Sequence, residues 1–209
     1  MPDNKYKNVL LFNVKNAKYC TLANPTEIKS IGKSDALKLD ADFNEQKIYG
    51  DGEVILALPN DKGYTGSLDM VSLFDDFEVS QRRKQPLAIG VADIRQVGEV
   101  PINIYVELEG MEVDGTDKGD IDVIKCWLLN VTTSRPSTTV SQKTDSINTN
   151  IVSIPLTVYG TPIQASSGET DYIDAKGNKL YATRVICWPD DAGYDTFGDT
   201  VPVPKMASA

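Results

Sequence analysis

The sequence predicts a mainly β protein, a sandwich or barrel with one short flanking α-helix and long extended loops. Apolar side chains recur at every second position in residues 102–108, 37–43 and 154–158. Successive side chains of a strand lie on opposite faces, so this spacing is typical of an antiparallel sheet with one dry and one wet face. The chain has 209 residues, enough to bury a core, and we expect one domain over residues 1–209.

The first part of the chain contains four strand patterns and one strong turn signal. Strands are predicted at residues 9–14, 18–22, 37–43 and 54–58. Asp51-Gly52 favours a hairpin turn, and residues 59–63 are expected to break the strand that returns from it. Residues 43–63 are therefore either a projecting arm that contains a hairpin or two ordinary strands of the body.

One short amphipathic helix is predicted after this segment. Ser72 is a suitable N-cap, and Asp75 lies three residues later, where the helix dipole favours negative charge. Three apolar residues at three-residue spacing share one face and are expected to contact the core: Val71, Phe74 and Phe77. The basic residues 82–84 complement the negative end of the helix, a role favoured over a nucleic-acid patch, and Gln85-Pro86 stops the helix.

The middle of the chain contains the longest strand pattern. Strands are predicted at residues 87–91 and 100–108, followed by an acidic connection at 110–119. Residues 120–133 then alternate in a strand that is apolar on both faces, with Trp127 beside Leu129 and Val131 on one of them. Such a strand is either sandwiched inside the domain or covered on its second face by another chain.

The last third is predicted to contain an arm, an edge strand, a final strand and a loose tail. Residues 133–150 are rich in Ser, Thr and Asn and predict an extended arm. Residues 151–159 form a strand that carries Pro155, whose missing N–H suits an edge. Residues 180–188 are the last predicted strand, and the tail from about 189 is expected to fray.

Charge limits the partners that the protein is expected to have. The chain carries 21 basic and 30 acidic residues, a net charge of −9. A surface of that sign repels phosphate, so a protein that reads or coats nucleic acid is disfavoured. A wall along which DNA slides without sticking would, however, be acidic. The acidic residues concentrated at 107–122 are therefore either such a repulsive surface or simply a solvated strand face.

The residues that most enzymes and metal sites need are missing. The chain has no histidine, which removes the commonest general base and the usual Ser–His, Cys–His and zinc systems. Asp114 begins an acidic segment, but Lys118 takes the third ligand position of a calcium loop. The cysteines are predicted to be buried and unbridged: Cys20, Cys126 and Cys187. We expect no enzymatic activity, metal or cofactor.

The order of these segments resembles the major tail (tail tube) protein of long, flexible-tailed bacteriophages. The resemblance depends on GYTGSL at 63–68, LFDDF at 73–77, IKCWLLNVTTSRP at 124–136, KTDSI at 143–147 and IPLTV at 154–158. It implies a structural virion protein without enzymatic activity. Six copies would join their sheets into a ring, and the rings would stack into a tube that conducts DNA during ejection.

The resemblance also implies partners and contact residues. The partners are further copies of the chain, other tail proteins such as the tape measure and tail terminator, and DNA that passes without sequence-specific binding. The implied location is the virion, after synthesis in the host cytoplasm, and no window of the chain is long and apolar enough for a membrane span. Candidate lumen-facing acidic residues are Glu107, Glu109, Asp117, Asp120 and Asp122. Candidate inter-subunit residues are Asp51, Gly52, Val54, Arg135, Pro136, Ile147 and Pro155, in or near the two predicted arms.

Two other functions fit the composition. A carbohydrate-binding or adhesin-type β module would need exposed aromatic residues on one sheet face, whereas Trp127 and Trp188 lie in apolar strands. An acid-dependent hydrolase would need two carboxyl groups of residues 107–122 to face each other across a cleft. The sequence places these acidic residues on neighbouring strand and turn positions instead.

Overall fold

Strands dominate the fold, and the single helix among the described residues is short. A computed structural model of the chain describes residues 9–51, 53–95, 98, 100–114, 117–138, 151–168 and 170–207. The mainly β prediction with one short helix is confirmed. The elements are β1 Val9–Thr21, β2 Asn24–Ser30, β3 Gly32–Gly50, β4 Glu53–Leu73, α1 Asp75–Ser80, β5 Lys84–Pro86, β6 Val91–Asp93, β7 Ile102–Asp114, β8 Asp117–Thr133, β9 Val152–Val158, β10 Thr161–Pro162, β11 Tyr181–Ala182 and β12 Arg184–Cys187.

The main sheet is antiparallel and open. Its order is β2-β1-β7-β8-β9-β4-β3, and β12 pairs with another part of β8. The sheet curls until the start of β3 reaches β1, where the Ile31 N–H donates to the Ala17 carbonyl oxygen at 3.0 Å. No ladder joins these two strands among the described residues. The sheet is therefore not closed into a barrel, which was one of the two predicted architectures.

The concave face of the curled sheet holds the main core. The predicted alternation of β7 is confirmed, since Ile102, Ile104, Val106 and Leu108 all lie in this core. Helix α1 covers one end of it through Phe77, whose ring meets that of Tyr19 edge-on at 4.9 Å between ring centres. The predicted alternation of β9 is confirmed in the same way, with Ile154, Leu156 and Val158 buried.

Strand β8 is buried on both faces within the chain itself. Ile124, Cys126 and Leu128 face the main core, while Trp127 and Leu129 form a second cluster with Tyr105 and Cys20. Phe197 and Val201 of the C-terminal segment pack on this second cluster. The sequence allowed the second face of β8 to be covered either within the domain or by another chain. The C-terminal segment of the same chain is the cover observed.

The C-terminal segment is held by specific bonds, although the sequence predicted that it would fray. The Trp127 indole N–H donates to the Phe197 carbonyl oxygen at 2.8 Å. Lys125 Nζ donates to the Tyr194 carbonyl oxygen at 2.7 Å, and the Tyr194 hydroxyl donates to the Val123 carbonyl oxygen. These bonds satisfy polar groups at the margin of β8, so an irregular backbone is fixed without forming a strand.

The predicted helix start at Ser72 is wrong. Ser72 pairs with Lys33 in the β3–β4 ladder, and β4 continues through Leu73. Phe74 occupies the N-cap position without a side-chain cap, and α1 ends at Ser80. Of the three residues expected on one helical face, only Phe77 is buried. Val71 belongs to strand β4 and Phe74 is the N-cap, so neither lies within the helix.

The basic residues after α1 do not cap the helix as predicted. Arg83 is only 1% exposed and donates from Nη1 to Glu78 Oε1 at 3.1 Å. Its Nη2 donates to the carbonyl and hydroxyl oxygens of Thr133, each at 2.6 Å. Burial lowers the pKa of the Arg83 guanidinium, and the Glu78 carboxylate opposes that shift. The result is a buried ion pair that joins α1 to the end of β8.

A small hairpin follows where the sequence predicted a strand at residues 87–91. Strands β5 and β6 pair, and between them the Leu87 N–H donates to the Gly90 carbonyl oxygen at 2.9 Å. Gly90 has φ +78°, a conformation that glycine adopts without strain and that turns the chain back. Ile89 at the tip is 94% exposed.

Pro155 does not mark an edge strand as predicted. Strand β9 lies between β4 and β8, with Pro155 opposite Ser67. The Pro155 carbonyl oxygen accepts from the Ser134 N–H at 2.9 Å, so this carbonyl points toward the end of β8. In an antiparallel sheet, the N–H and C=O of one residue point to the same side of the strand. The missing N–H therefore faces the point where β8 has ended at Thr133, so no ladder bond is lost.

The three cysteines are buried thiols and form no disulfide bond. Burial raises the pKa of the Cys126 thiol to about 12. The thiol is therefore protonated at neutral pH and packs as a small apolar group.

Candidate assembly surfaces

The hairpin of β3 and β4 projects from the body as an arm. In the described part of the chain, residues 43–50 pair only with residues 53–61. The next strand, β9, pairs with β4 only from Tyr64 to Met70. Of the two arrangements that the sequence allowed for residues 43–63, the projecting arm is the one observed. Eight residue pairs at about 3.3 Å per residue give it a length of roughly 25 Å.

The turn of the arm agrees with the sequence, whereas the expected break does not occur. Asp51 has φ +53°, as the first central residue of a type I′ hairpin turn requires, and Gly52 lies outside the described residues. The predicted break at residues 59–63 is absent, since Pro59 pairs with Glu45 and the strand continues to the body. A register shift between Ala41 and Phe43 bends the hairpin where it leaves the sheet.

Apolar side chains are exposed along the arm. Phe43 is 60% and Tyr49 65% exposed, and Ile48 and Val54 are also exposed. An isolated two-stranded ribbon is at best marginally stable in water, because it has no core of its own. Exposed apolar residues on such a ribbon are typical of a segment that packs against a partner.

A cleft separates β1 from β3 where the sheet stays open. The Ser34 hydroxyl donates to the Val14 carbonyl oxygen at 3.3 Å, and beyond this bond the strands flank a cleft of about 330 Å³. Apolar side chains of both strands line it, among them Leu11, Phe12, Leu37 and Leu39. Within the described residues no strand pairs with either edge along this cleft. Unpaired edges beside an apolar surface favour the addition of another strand.

No residue of this cleft was predicted from the sequence to be part of a site. Leu10, Leu11 and Phe12 are three consecutive exposed apolar residues in β1, so they break the two-residue alternation. That break in the alternation was the feature of the sequence that could have indicated the cleft. The position of β3 beside β1 depends on the curl of the sheet and was not predictable from either segment alone.

Glu107 and Glu109 lie together on the convex face of β7, and Glu109 forms an ion pair with Lys15. The Glu109 carboxylate accepts from Lys15 Nζ at 2.7 Å and from Asn13 Nδ2 at 2.9 Å. Glu107 accepts from the Tyr105 hydroxyl at 3.0 Å and is opposite Lys125 in the sheet. The ion pair with Lys15 therefore reduces the repulsion that Glu109 contributes.

The other acidic candidates are not on the same face. Asp122 is opposite Gly110 in the sheet and lies on the same face as Ile124, whose side chain is in the core. Asp122 itself is exposed, because it lies beyond the end of the core. Asp120 is exposed two residues earlier, and Asp117 begins β8. Glu107 and Glu109 thus lie on one face of the sheet and Asp120 and Asp122 on the other, because strand alternation separates them.

We predict that the Glu109 carboxyl titrates below the usual range of glutamate. Its bonds to Lys15 and Asn13 favour the charged form and lower the pKa of Glu109, while the same ion pair raises the pKa of Lys15. The contribution of the pair is therefore present at neutral pH and is lost as the pH falls through the lowered pKa. An NMR titration should give a higher Glu109 pKa in Lys15→Met and an unchanged one in Lys29→Met, whose ammonium pairs with Glu27. An ordinary Glu109 pKa in the wild-type protein would contradict the assignment.

The candidate inter-subunit residues do not form one surface. Asp51 and Val54 lie at the tip of the arm, and Gly52 and Ile147 are outside the described residues. Arg135 and Pro136 follow β8 on the body, where the Arg135 guanidinium donates to the Ile94 carbonyl oxygen and helps to hold the β5–β6 hairpin. Pro155 is exposed on β9, apart from both.

In the described ranges, no three His, Cys, Asp or Glu side chains are grouped so that they could hold a metal ion. No helix in the same part of the chain has the length and apolar character needed to cross a membrane.

Comparison with known proteins finds no protein-family model and no curated protein that matches the chain. Among solved structures, a chain from the cryo-EM structure of the anti-feeding prophage (AFP) baseplate, 6-fold symmetrised, is similar in outline. It is 9% identical, the match covers 91% of this chain and 98% of that chain, and the TM-score is 0.35. A likeness of this degree carries no argument about function.

Proposed function

We propose that the protein is a structural, non-enzymatic virion subunit that assembles with copies of itself into a phage tail tube. Six copies form a ring, and stacked rings form the tube that conducts DNA during ejection. The observation that carries the proposal is the arm of residues 43–61, which exposes Phe43, Tyr49 and Val54 on a ribbon that no other described strand supports. A neighbouring ring supplies the missing contact.

Contacts within a ring use the open cleft between β1 and β3. The unpaired edges there accept an edge strand of the next copy, so that the sheets of neighbouring subunits join. Donor and acceptor surfaces differ, which makes the contact head-to-tail. Head-to-tail contacts close into rings when the rotation between copies divides a full turn.

The acidic residues supply a lumen surface to which DNA does not adhere. Asp120 and Asp122 are the stronger candidates, because Glu109 is paired with Lys15 and Glu107 already accepts a hydrogen bond from the Tyr105 hydroxyl. The net charge of −9 acts in the same direction. The tube ends contact other tail proteins, such as a tape measure and a tail terminator. The assembly is located in the virion after synthesis in the host cytoplasm.

Negative-stain microscopy of the purified protein at rising concentration tests the proposal. Rings or hollow rods are expected, and their proportion should increase with protein concentration by mass action. Compact monomers at every concentration and ionic strength would reject it.

A further inference from the structure

A second recess lies at the base of the arm and is rich in tyrosine. Its volume is about 590 Å³, within the range of small-ligand sites. Tyr64 enters it from β4, Tyr159 follows β9, and Tyr181 belongs to β11. Three separate elements therefore bring three tyrosines to one recess.

The rings at this recess are accessible. Tyr159 is 48% and Tyr181 57% exposed, and Tyr64 is partly buried. The face of an aromatic ring carries partial negative charge and attracts weakly positive C–H groups, while the hydroxyl remains available for hydrogen bonds. A surface of this kind suits a ligand that is apolar on one face and hydroxylated at its rim.

Two charged groups beside the rings are held in position. The Asp61 carboxylate accepts from the Gly63 N–H at 2.9 Å, which holds an acceptor in the lining of the recess. Lys179 Nζ donates to Asp171 Oδ2 at 2.8 Å, which holds a donor in the same lining. A carboxylate offers about four acceptor positions and an ammonium three donors, so both retain bonding capacity for a ligand.

The floor of the recess is tightly packed. Gly63 has φ +96°, and a Cβ placed there would lie 2.1 Å from the Val158 carbonyl oxygen. Gly160 has φ +83°, and its Cβ would lie 2.8 Å from the Ala182 carbonyl oxygen. Only glycine fits at these crossings, so the backbone beneath the tyrosines is fixed by close contact. A preformed site loses less conformational entropy on binding.

We propose that this recess binds a carbohydrate chain, with pyranose rings stacked on Tyr159 and Tyr181 and hydroxyl groups bonded to Asp61 and Lys179. Sugar hydroxyls both donate and accept, so they match a recess that presents a carboxylate and an ammonium together. The net charge of −9 disfavours single-stranded nucleic acid, and because Lys62 and Lys179 line the recess beside Asp61, the test includes single-stranded DNA as a competing ligand. A proline-rich peptide is disfavoured because proline has no N–H to offer to Asp61. The exposed aromatics that a carbohydrate module needs are tyrosines, not the tryptophans of the sequence analysis.

Calorimetric titration of the protein with linear hexasaccharides of glucose and of N-acetylglucosamine tests this site. Saturable binding of at least one is expected, and Tyr159→Ala and Tyr181→Ala should each weaken it about tenfold. Tyr181→Phe keeps the ring and should retain most of the affinity. Tyr49→Ala removes an exposed tyrosine of the distant arm and is the matched control, with no expected effect.

Three outcomes would overturn the proposal. They are the absence of saturable binding to both hexasaccharides by the folded protein, binding that survives Tyr159→Ala together with Tyr181→Ala, and preferential binding of a polyproline peptide or single-stranded DNA at the recess. The titration uses dilute protein and does not require assembly. Its failure would therefore leave the proposed tube untouched, and failure to form tubes would leave this site untouched.

Discussion

Replacing residues 44–60 with an Asn-Gly turn is expected to leave a folded monomer that does not assemble. Phe43 and Asp61 are directly opposite in the β3–β4 ladder, so a two-residue turn can join them with the native strand geometry. The main core lies in the body and keeps its residues. Sedimentation velocity should show monomers at concentrations where the wild-type protein forms large species, with an unchanged thermal midpoint.

Single substitutions separate the apolar contact from the length of the arm. Tyr49→Asp should raise the concentration needed for assembly by about thirtyfold, the equivalent of about 2 kcal/mol for an interface hot spot. Asn44→Asp adds the same charge at a polar position of the arm and should have little effect. Wild-type assembly by the shortened protein would show that the arm is not an assembly element.

Arg83→Met should lower the free energy of unfolding by about 3–5 kcal/mol, because it leaves the Glu78 carboxylate buried without its ion-pair partner. Glu78 is only 5% exposed, and Arg83 also donates two bonds to Thr133. Urea unfolding followed by the fluorescence of buried Trp127 measures the loss.

The double variant Arg83→Met/Glu78→Leu controls for this effect. It removes both charges and should recover most of the stability, since a buried ion pair replaced by apolar residues is often neutral. Both the single and the double variant remove the guanidinium partner of Thr133. The difference between their free energies of unfolding therefore measures the cost of the unpaired Glu78 carboxylate. A loss below about 1 kcal/mol in Arg83→Met would indicate that water reaches Glu78 and that the pair is not truly buried.

Local patterns predicted the strands well where one face of the sheet is dry. The alternation of Ile102 to Leu108 and of Ile154 to Val158 identified core faces, and Asp51-Gly52 identified the turn of the arm. Both signals depend only on neighbouring residues. The same logic failed at Ser72, where pairing with β3 outweighed a good helix N-cap.

Features that depend on distant segments were not predictable in this way. The cover over Trp127 comes from Phe197, seventy residues away. Asn130 has φ +51° and forms a bulge, so Val131 turns into the main core instead of sharing a face with Leu129. A one-residue irregularity reverses every later side chain of a strand, and no local pattern announces it.

The proposed assembly depends on strand edges and an arm that a second copy of the chain would complete. Amide hydrogen exchange at low and at high protein concentration tests that claim most directly, because unpaired backbone groups become protected only when a partner binds them. Exchange in residues 10–14 of β1, 35–39 of β3 and 43–50 of the arm is expected to slow by about tenfold or more at high concentration, while exchange in β7 stays unchanged. Equal exchange rates in these segments at both concentrations would contradict it.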